Sequence, residues 1–325
     1  MILITGAFGQ DGKILQEKLS KDNKLILVSR KYINDKITGN CILESGDLQD
    51  IAFVEYLFKS YDIKIIFNLA TNSFVERESD LMGNFDIRCN IFDNIIKTII
   101  ANNKIKETWI FHPLSSEVFG IPNEIPQGLS THISPINSYG IQKSIELIKC
   151  RFLVTEGFNI FHPIIYNHES KFRQDKYFTK KTIKTLINIS KNRILKPLEF
   201  YNSCSSRDFG YAYDFVDAFI MAMELKITGD EVFGTGTNTS ILDFIRYTLH
   251  ELKVVYEIIK DDSTGLIKII SKDKILATEI GKSEKDQRRV FMFNGKFKNE
   301  CFNDLNFIKG QNLIRKLIKE ELEIN

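Results

Sequence analysis

Apolar residues along the chain fall into short runs separated by longer amphipathic stretches, the rhythm of strands alternating with helices. Runs at 1–4, 24–29, 41–45, 63–67, 108–114 and 158–166 predict six strands. Helical periodicity is clearest in the segment KILQEKL, at 80–102 and from about Asn137 onward. This alternation predicts an α/β fold with a doubly wound parallel sheet. Its sites lie beyond the carboxyl ends of the strands. After Ser170 the rhythm breaks into a lysine-rich helix at 177–191, the segment YNSCSSRDFGYAYDFVDAF and short alternating elements, with 208–223 expected as a helix returning to the sheet. The expected division is a cofactor-binding region, 1–166 rejoined by about 207–224, and a smaller interleaved substrate lobe of 167–206 and 225–325.

The first strand leads directly into Thr5-Gly6-Ala7-Phe8-Gly9-Gln10-Asp11-Gly12 and then a helix. Strand, glycine turn and helix in that order form a phosphate cradle: Gly6 allows the tight turn, Gly9 the close approach of a pyrophosphate, and Gly12 close helix packing. The spacing G-x-x-G-x-x-G is that of short-chain dehydrogenase folds. Where NAD-specific sheets carry an acidic residue after the second strand, this chain offers Arg30 and Lys31, which favours NADP and leaves NAD open. Gly46-Asp47-Leu48 follows the third strand, with Asp47 placed to bond an adenine amino group, and Leu69, Ala70 and Thr71 after the fourth would line the cofactor.

The densest chemistry lies between Ser115 and Lys143, SSEVFGIPNEIPQGLSTHISPINSYGIQK, which supplies a hydroxyl at Ser115, a carboxylate at Glu117, and Tyr139 with Lys143 four residues on. On a helix such a pair shares one face, about 6 Å apart along the axis. Bringing a phenol from a pKa of about 10 to about 7 takes roughly 4 kcal/mol. One cation at about 4.5 Å in an effective dielectric of about 20 supplies roughly that. Lys143 is thus expected to make Tyr139 a base, helped by a positive nicotinamide ring. Arg207, expected in a turn among small polar residues, is a further anion-binding candidate.

Composition narrows the class. The chain has 325 residues, 43% of them hydrophobic and 26% charged, which predicts a globular protein. A net charge of +2 with dispersed lysines argues against nucleic acid and acidic membranes. The five cysteines include no C-x-x-C pair, against both a disulfide framework and a zinc site, so no metal is expected and a cytoplasmic location fits. The start of the chain has no leader pattern, and no run approaches the roughly 18 apolar residues of a membrane span.

The motifs TGAFGQDGKIL, NLA, SSEVFG followed by EIPQ, SYGIQK, YNHES and SSRDFGYAYDFVDA together resemble the extended short-chain dehydrogenase/reductase superfamily, and within it most the GDP-mannose 4,6-dehydratase family. The likeness covers roughly residues 1–250. It implies that Ser115 bonds the sugar 4-hydroxyl, that Tyr139 with Lys143 is the first base, and that Glu117 is the second acid/base. It also implies NADP contacts at His168 and Arg173, and nucleotide-sugar contacts at Ser73, Ser116, Asn167, Arg207 and Arg288. The implied reaction is C4 oxidation, elimination of water across C5 and C6, and hydride return to C6. An epimerase or C4 dehydrogenase with the same pocket, and an inactive sugar-nucleotide-binding protein, stay open as alternatives. The segment RKYINDKITGN is shorter than the family's tetramer-building loop, so a helix-bundle homodimer is expected. Asn84 stands where the family has a tyrosine, and Arg288 and Arg289 are the nearest substitutes for a missing ribose-gripping R-P-x-E.

Overall fold

The computed structural model describes residues 1–30, 39–70, 83–193, 196–282 and 290–324, with the backbone alone for 83–89. The chain alternates β1 (Ile2–Thr5), α1 (Gln10–Leu19), β2 (Leu25–Ser29), β3 (Cys41–Ser45), α2 (Ile51–Ser60), β4 (Ile65–Asn68), α3 (Gly83–Ala101) and β5 (Trp109–Phe111). It continues through β6 (Leu114–Ser115), α4 (Ser138–Thr155), β7 (Asn159–Phe161), β8 (Ile164–Ile165), β9 (Asn167–Glu169) and α5 (Phe178–Ser190). The six-stranded sheet runs β3-β2-β1-β4-β5-β7 with every pair parallel, as the strand-helix rhythm predicts.

Side chains alternate between the two faces of each strand, and both faces are covered. Ile2, Ile4, Leu25, Leu27, Phe67 and Phe111 point to one side, against Ile14 and Leu15 of α1 and Phe215 and Phe219 further on. Leu3, Ile26, Val28, Ile66 and Ile110 point to the other, against Val54 and Leu57 of α2 and Phe92, Ile95 and Ile99 of α3. Short continuous apolar runs therefore read correctly as strands buried on both faces.

Two predicted strands are each broken in two. The run at 108–114 stops at Phe111 and restarts at Leu114, and the run at 158–166 stops at Phe161 and restarts at Ile164. The cause is a His-Pro step in each, His112-Pro113 and His162-Pro163, set side by side because Phe111 pairs with Phe161 and Leu114 with Ile164. Proline cannot donate to a ladder. The pairing resumes through Leu114 N–H to Pro163 O at 2.8 Å, and beyond the step a smaller sheet continues the direction of the first.

The remaining elements are β10 (Leu198–Phe200), β11 (Ser206–Tyr211), α6 (Ala212–Glu224), β12 (Val232–Phe233), β13 (Asn238–Ser240), α7 (Ile241–Glu251), β14 (Glu257–Lys260), β15 (Ile267–Ser271), β16 (Lys274–Glu279), β17 (Val290–Phe291) and a helix at Gly310–Ile324. The expected helix at 208–223 begins only at Ala212. Residues 206–211 form a strand that binds β9, β13 and β17, so Arg207 and Asp208 lie in a sheet and not in a turn. Asp208 is fully buried and accepts hydrogen bonds from the backbones of Thr235, Gly236 and Phe293, a clasp that pattern alone does not reveal.

His162 is 1% exposed, and burial pushes its pKa down to about 4 despite nearby Asp230. Between about pH 6.5 and 4 the unfolded chain takes up a proton here that the folded chain refuses, so stability falls as pH falls through that window. By pH 4 the loss from this group is about 3 kcal/mol. We predict that His162→Phe removes most of that share when urea unfolding is compared at pH 7 and pH 4; an unchanged pH dependence contradicts it.

Candidate active site

A cleft of about 470 Å³ opens at the carboxyl ends of β1, β4 and β6. Its floor is the glycine turn. Gly6 has φ +63°, and a Cβ there would lie 2.7 Å from the Leu69 carbonyl carbon, while a Cβ on Gly12 would lie 2.5 Å from Ala7 O. Any side chain at either position would push the turn apart. Gly9, the residue before α1, has no side chain between the cleft and the free N–H groups of the helix start, so the turn suits a pyrophosphate. His168 Nε2 lies 3.1 Å from both Asp11 carboxylate oxygens, and its Nδ1 lies 2.9 Å from Tyr166 O. Burial opposes charging of His168, but the Asp11 carboxylate outweighs it and holds the imidazole above its ordinary range. Gln10 donates to His168 O at 2.9 Å, so the turn and β9 are clamped at two points.

The catalytic candidates meet at the opposite wall. Ser115 ends β6 and accepts a hydrogen bond from Glu117 N–H, capping a short 3-10 turn at Ser116–Phe119. Asn137 caps α4 by accepting from Gly140 N–H at 2.7 Å, and its amide donates to Glu117 Oε2 at 2.7 Å. Gly140 lets the helix start press on that turn, since a Cβ there would lie 2.5 Å from Glu117 O. Ser115, Ser116, Glu117, Tyr139 and Lys143 therefore all line one cleft, and the Ser115 hydroxyl bonds the Tyr139 phenol.

The electrostatics differ from the sequence expectation. Burial raises the Tyr139 phenol above its ordinary pKa; Lys143 pulls it down, but Glu146 pushes it up again. Lys143 Nζ sits 2.7 Å from Glu146 Oε2 and 3.0 Å from Pro113 O, so its charge is already met. A single lysine was expected to acidify the phenol almost unaided; burial of the phenol outweighs it, and the carboxylate one turn along the helix adds to that opposition. Glu146, its neighbour His112 and the Asn137 clamp are the residues that sequence reasoning missed. Glu146 lies three positions after Lys143, a spacing that brings side chains together on a helix.

Of the other predicted residues, Leu69, Asn167, His168 and Arg173 line the cleft. The Arg173 guanidinium lies 3.8 Å from the Tyr177 ring centroid and pairs with Glu169 at 3.1 Å. Ala70 N–H donates to Thr5 Oγ1. Phe8 is half-buried against the core. Leu48 does not face the cleft: its side chain is buried in the core beside Val54 and Phe92. Arg30 and Asp47 are exposed just past β2 and β3, outside the lining. Arg207 is not in the lining either; its guanidinium carbon lies 5.2 Å from the Phe291 ring centroid. Lys31, Thr71, Ser73, Arg288 and Arg289, and the side chain of Asn84, lie outside the described residues.

A parallel sheet with a glycine turn after its first strand, and a tyrosine–lysine helix beside its carboxyl edge, defines the fold of the extended short-chain dehydrogenase/reductases. UDP-glucose 4-epimerase from Bifidobacterium longum, solved with NAD+ and UDP, superposes with a TM-score of 0.78 at 17% identity, over 100% of this chain and 98% of that one. The sequence profile of GDP-mannose 4,6 dehydratase matches residues 3–300, and the chain belongs to that family of enzymes. GDP-mannose 4,6-dehydratase of Vibrio cholerae is 27% identical over 305 residues, 86% of this chain and 80% of its own length. A longer relative of the same name from Sordaria araneosa is 27% identical over 252 residues, 74% of this chain but 46% of its own length.

Proposed function

We propose that the protein is an NADP-dependent 4,6-dehydratase of a GDP-linked sugar, GDP-mannose or a close relative, yielding the 4-keto-6-deoxy product. The observation that carries this reading is that a phenol and a carboxylate, Tyr139 and Glu117, line the same cleft with the Ser115 hydroxyl. Two protons must leave the sugar, one from the C4 hydroxyl and one from C5, and the cleft offers two bases. Gly6, Gly9, Gly12, Leu69 and His168 would hold the nicotinamide dinucleotide, with Arg30 toward a ribose 2′-phosphate. When bound, that cofactor supplies the hydride acceptor for C4 and the donor for C6. Tyr139 takes the C4 hydroxyl proton while Ser115 orients that hydroxyl. Once C4 is a ketone the C5 proton is acidic; Glu117 removes it and passes it to the departing C6 hydroxyl, which leaves as water, and return of the hydride to C6 is matched by a proton taken up at C5, balanced by the one Tyr139 took from the C4 hydroxyl. Residues 167–206 and 225–325 would form most of the sugar-nucleotide side of the cleft.

We further infer a homodimer through α4. Ile141, Ile145, Ile148 and Phe152 recur along one helix face, and Ile148 and Phe152 are 66% and 62% exposed. An apolar stripe of this size on an otherwise mixed helix is unfavourable in water unless covered. Among the described residues no helix is long and apolar enough to cross a membrane.

Glu117→Gln is expected to cut formation of the 4-keto-6-deoxy product by about a hundredfold or more, while NADP binding by calorimetry stays intact; undiminished turnover contradicts the mechanism. Replacing both Ile148 and Phe152 by Asp is expected to halve the sedimenting mass. A wild-type protein that sediments as a monomer contradicts the dimer.

A further inference from the structure

Lys143 has a second role-setting partner, and the direction of the hydrogen bonds around it is fixed from the ends of β1 and β4. Ala70 N–H donates to Thr5 Oγ1 at 3.0 Å, Thr5 O–H donates to Asn68 Oδ1 at 2.8 Å, and Asn68 Nδ2 therefore donates to His112 Nδ1 at 2.9 Å. With Nδ1 an acceptor, His112 is neutral and its Nε2–H points to Glu146 Oε2 at 3.0 Å. Gln142 donates to the other Glu146 oxygen, and Lys143 completes the set at 2.7 Å. His112, Gln142, Lys143 and Glu146 are each at most 3% exposed. The carboxylate is thus ionised by construction: each of the three groups around it donates.

We propose that Glu146 is a positioning residue for the base, holding Lys143 in a neutral ion pair so that Tyr139 keeps its proton until a cationic nicotinamide ring enters the cleft. The inference rests on the dehydratase reading for the identity of the base and cofactor, not for the ion pair. The charged groups acting on Tyr139 are Lys143 and Glu146 from its own helix and Glu117 from the turn after β6, with the Ser115 hydroxyl as a hydrogen-bond partner. Two carboxylates against one ammonium leave a phenolate disfavoured in a buried site. One added positive charge cancels that excess of negative charge and lowers the pKa of the phenol. Oxidised cofactor would then create the base that its own reduction requires, and the reduced form, lacking the ring charge, would return the proton to the phenol.

The test is the pH profile of kcat/KM for the NADP-loaded protein. In Glu146→Gln the Tyr139–Lys143 pair carries a net positive charge and gives up its first proton more readily, so the acid limb moves down by about one pH unit or more. Glu146→Asp keeps the charge and leaves the limb in place. A limb in Glu146→Gln that is unmoved or shifted upward overturns the proposal. If Glu146→Gln does not fold, the wild type still decides the matter through an ultraviolet tyrosinate titration, with Tyr139→Phe as the difference reference. Tyr139 is expected to stay protonated beyond the ordinary phenol value of about 10 without cofactor and to ionise at lower pH with NADP+. Ionisation below that value without cofactor, or no response to NADP+, overturns it. This titration needs no substrate, so a protein that turns over no sugar nucleotide would remove the proposed function and leave the ion-pair inference to be judged separately.

Discussion

The constraint on which the site depends is the contact between the first turn of α4 and the backbone of Glu117. Only a glycine at position 140 permits it, because a Cβ there would stand 2.5 Å from the Glu117 carbonyl oxygen. That contact puts the Tyr139 helix within reach of the Ser115–Glu117 turn, and Asn137 locks it from both ends by capping the helix and gripping the Glu117 carboxylate. Separate the two segments and no single cleft contains both the Tyr139 phenol and the Glu117 carboxylate.

Around this contact the fold tolerates an expensive arrangement of buried charge. A buried ion pair gains little over apolar packing, and breaking one by removing a partner costs about 3–5 kcal/mol. Lys143 and Glu146 lie together beneath the cleft, and the glycine turn is anchored by a second, half-buried pair, Asp11 with His168. Such pairs are poor devices for stability alone. They make sense where charge near a reacting group has to be set, and Lys143, Asp11 and His168 line the same cleft.

Much of this was legible in the sequence. The run at 24–29 located its strand closely because a strand buried on both faces is continuous and apolar, and the order of strand, Gly6-Gly9-Gly12 and helix located the phosphate cradle. The broken strands were less legible: His112-Pro113 and His162-Pro163 are plain in the sequence, but that they sit opposite each other is a matter of register, which only pairing reveals. Residues 208–211 were misread as the start of a helix because the helical pattern of the following segment runs smoothly back into them, whereas the strand at 206–211 is decided by partners at β9, β13 and β17. The largest miss was electrostatic. Spacing alone brings Lys143 to Tyr139, but the sign of the resulting field depends on Glu146 and on the neutrality of His112, which is imposed by Thr5 and Asn68 from two other strands.

The central claim is that one cleft oxidises C4, loses water across C5 and C6, and reduces C6 with the hydride it removed. The most direct measurement is to supply GDP-mannose carrying deuterium at C4 to the purified protein with NADP and to locate the label by mass spectrometry and NMR. The account predicts deuterium at C6 of a 4-keto-6-deoxy sugar. Label retained at C4, or lost to the cofactor pool with no 6-deoxy product, would contradict it.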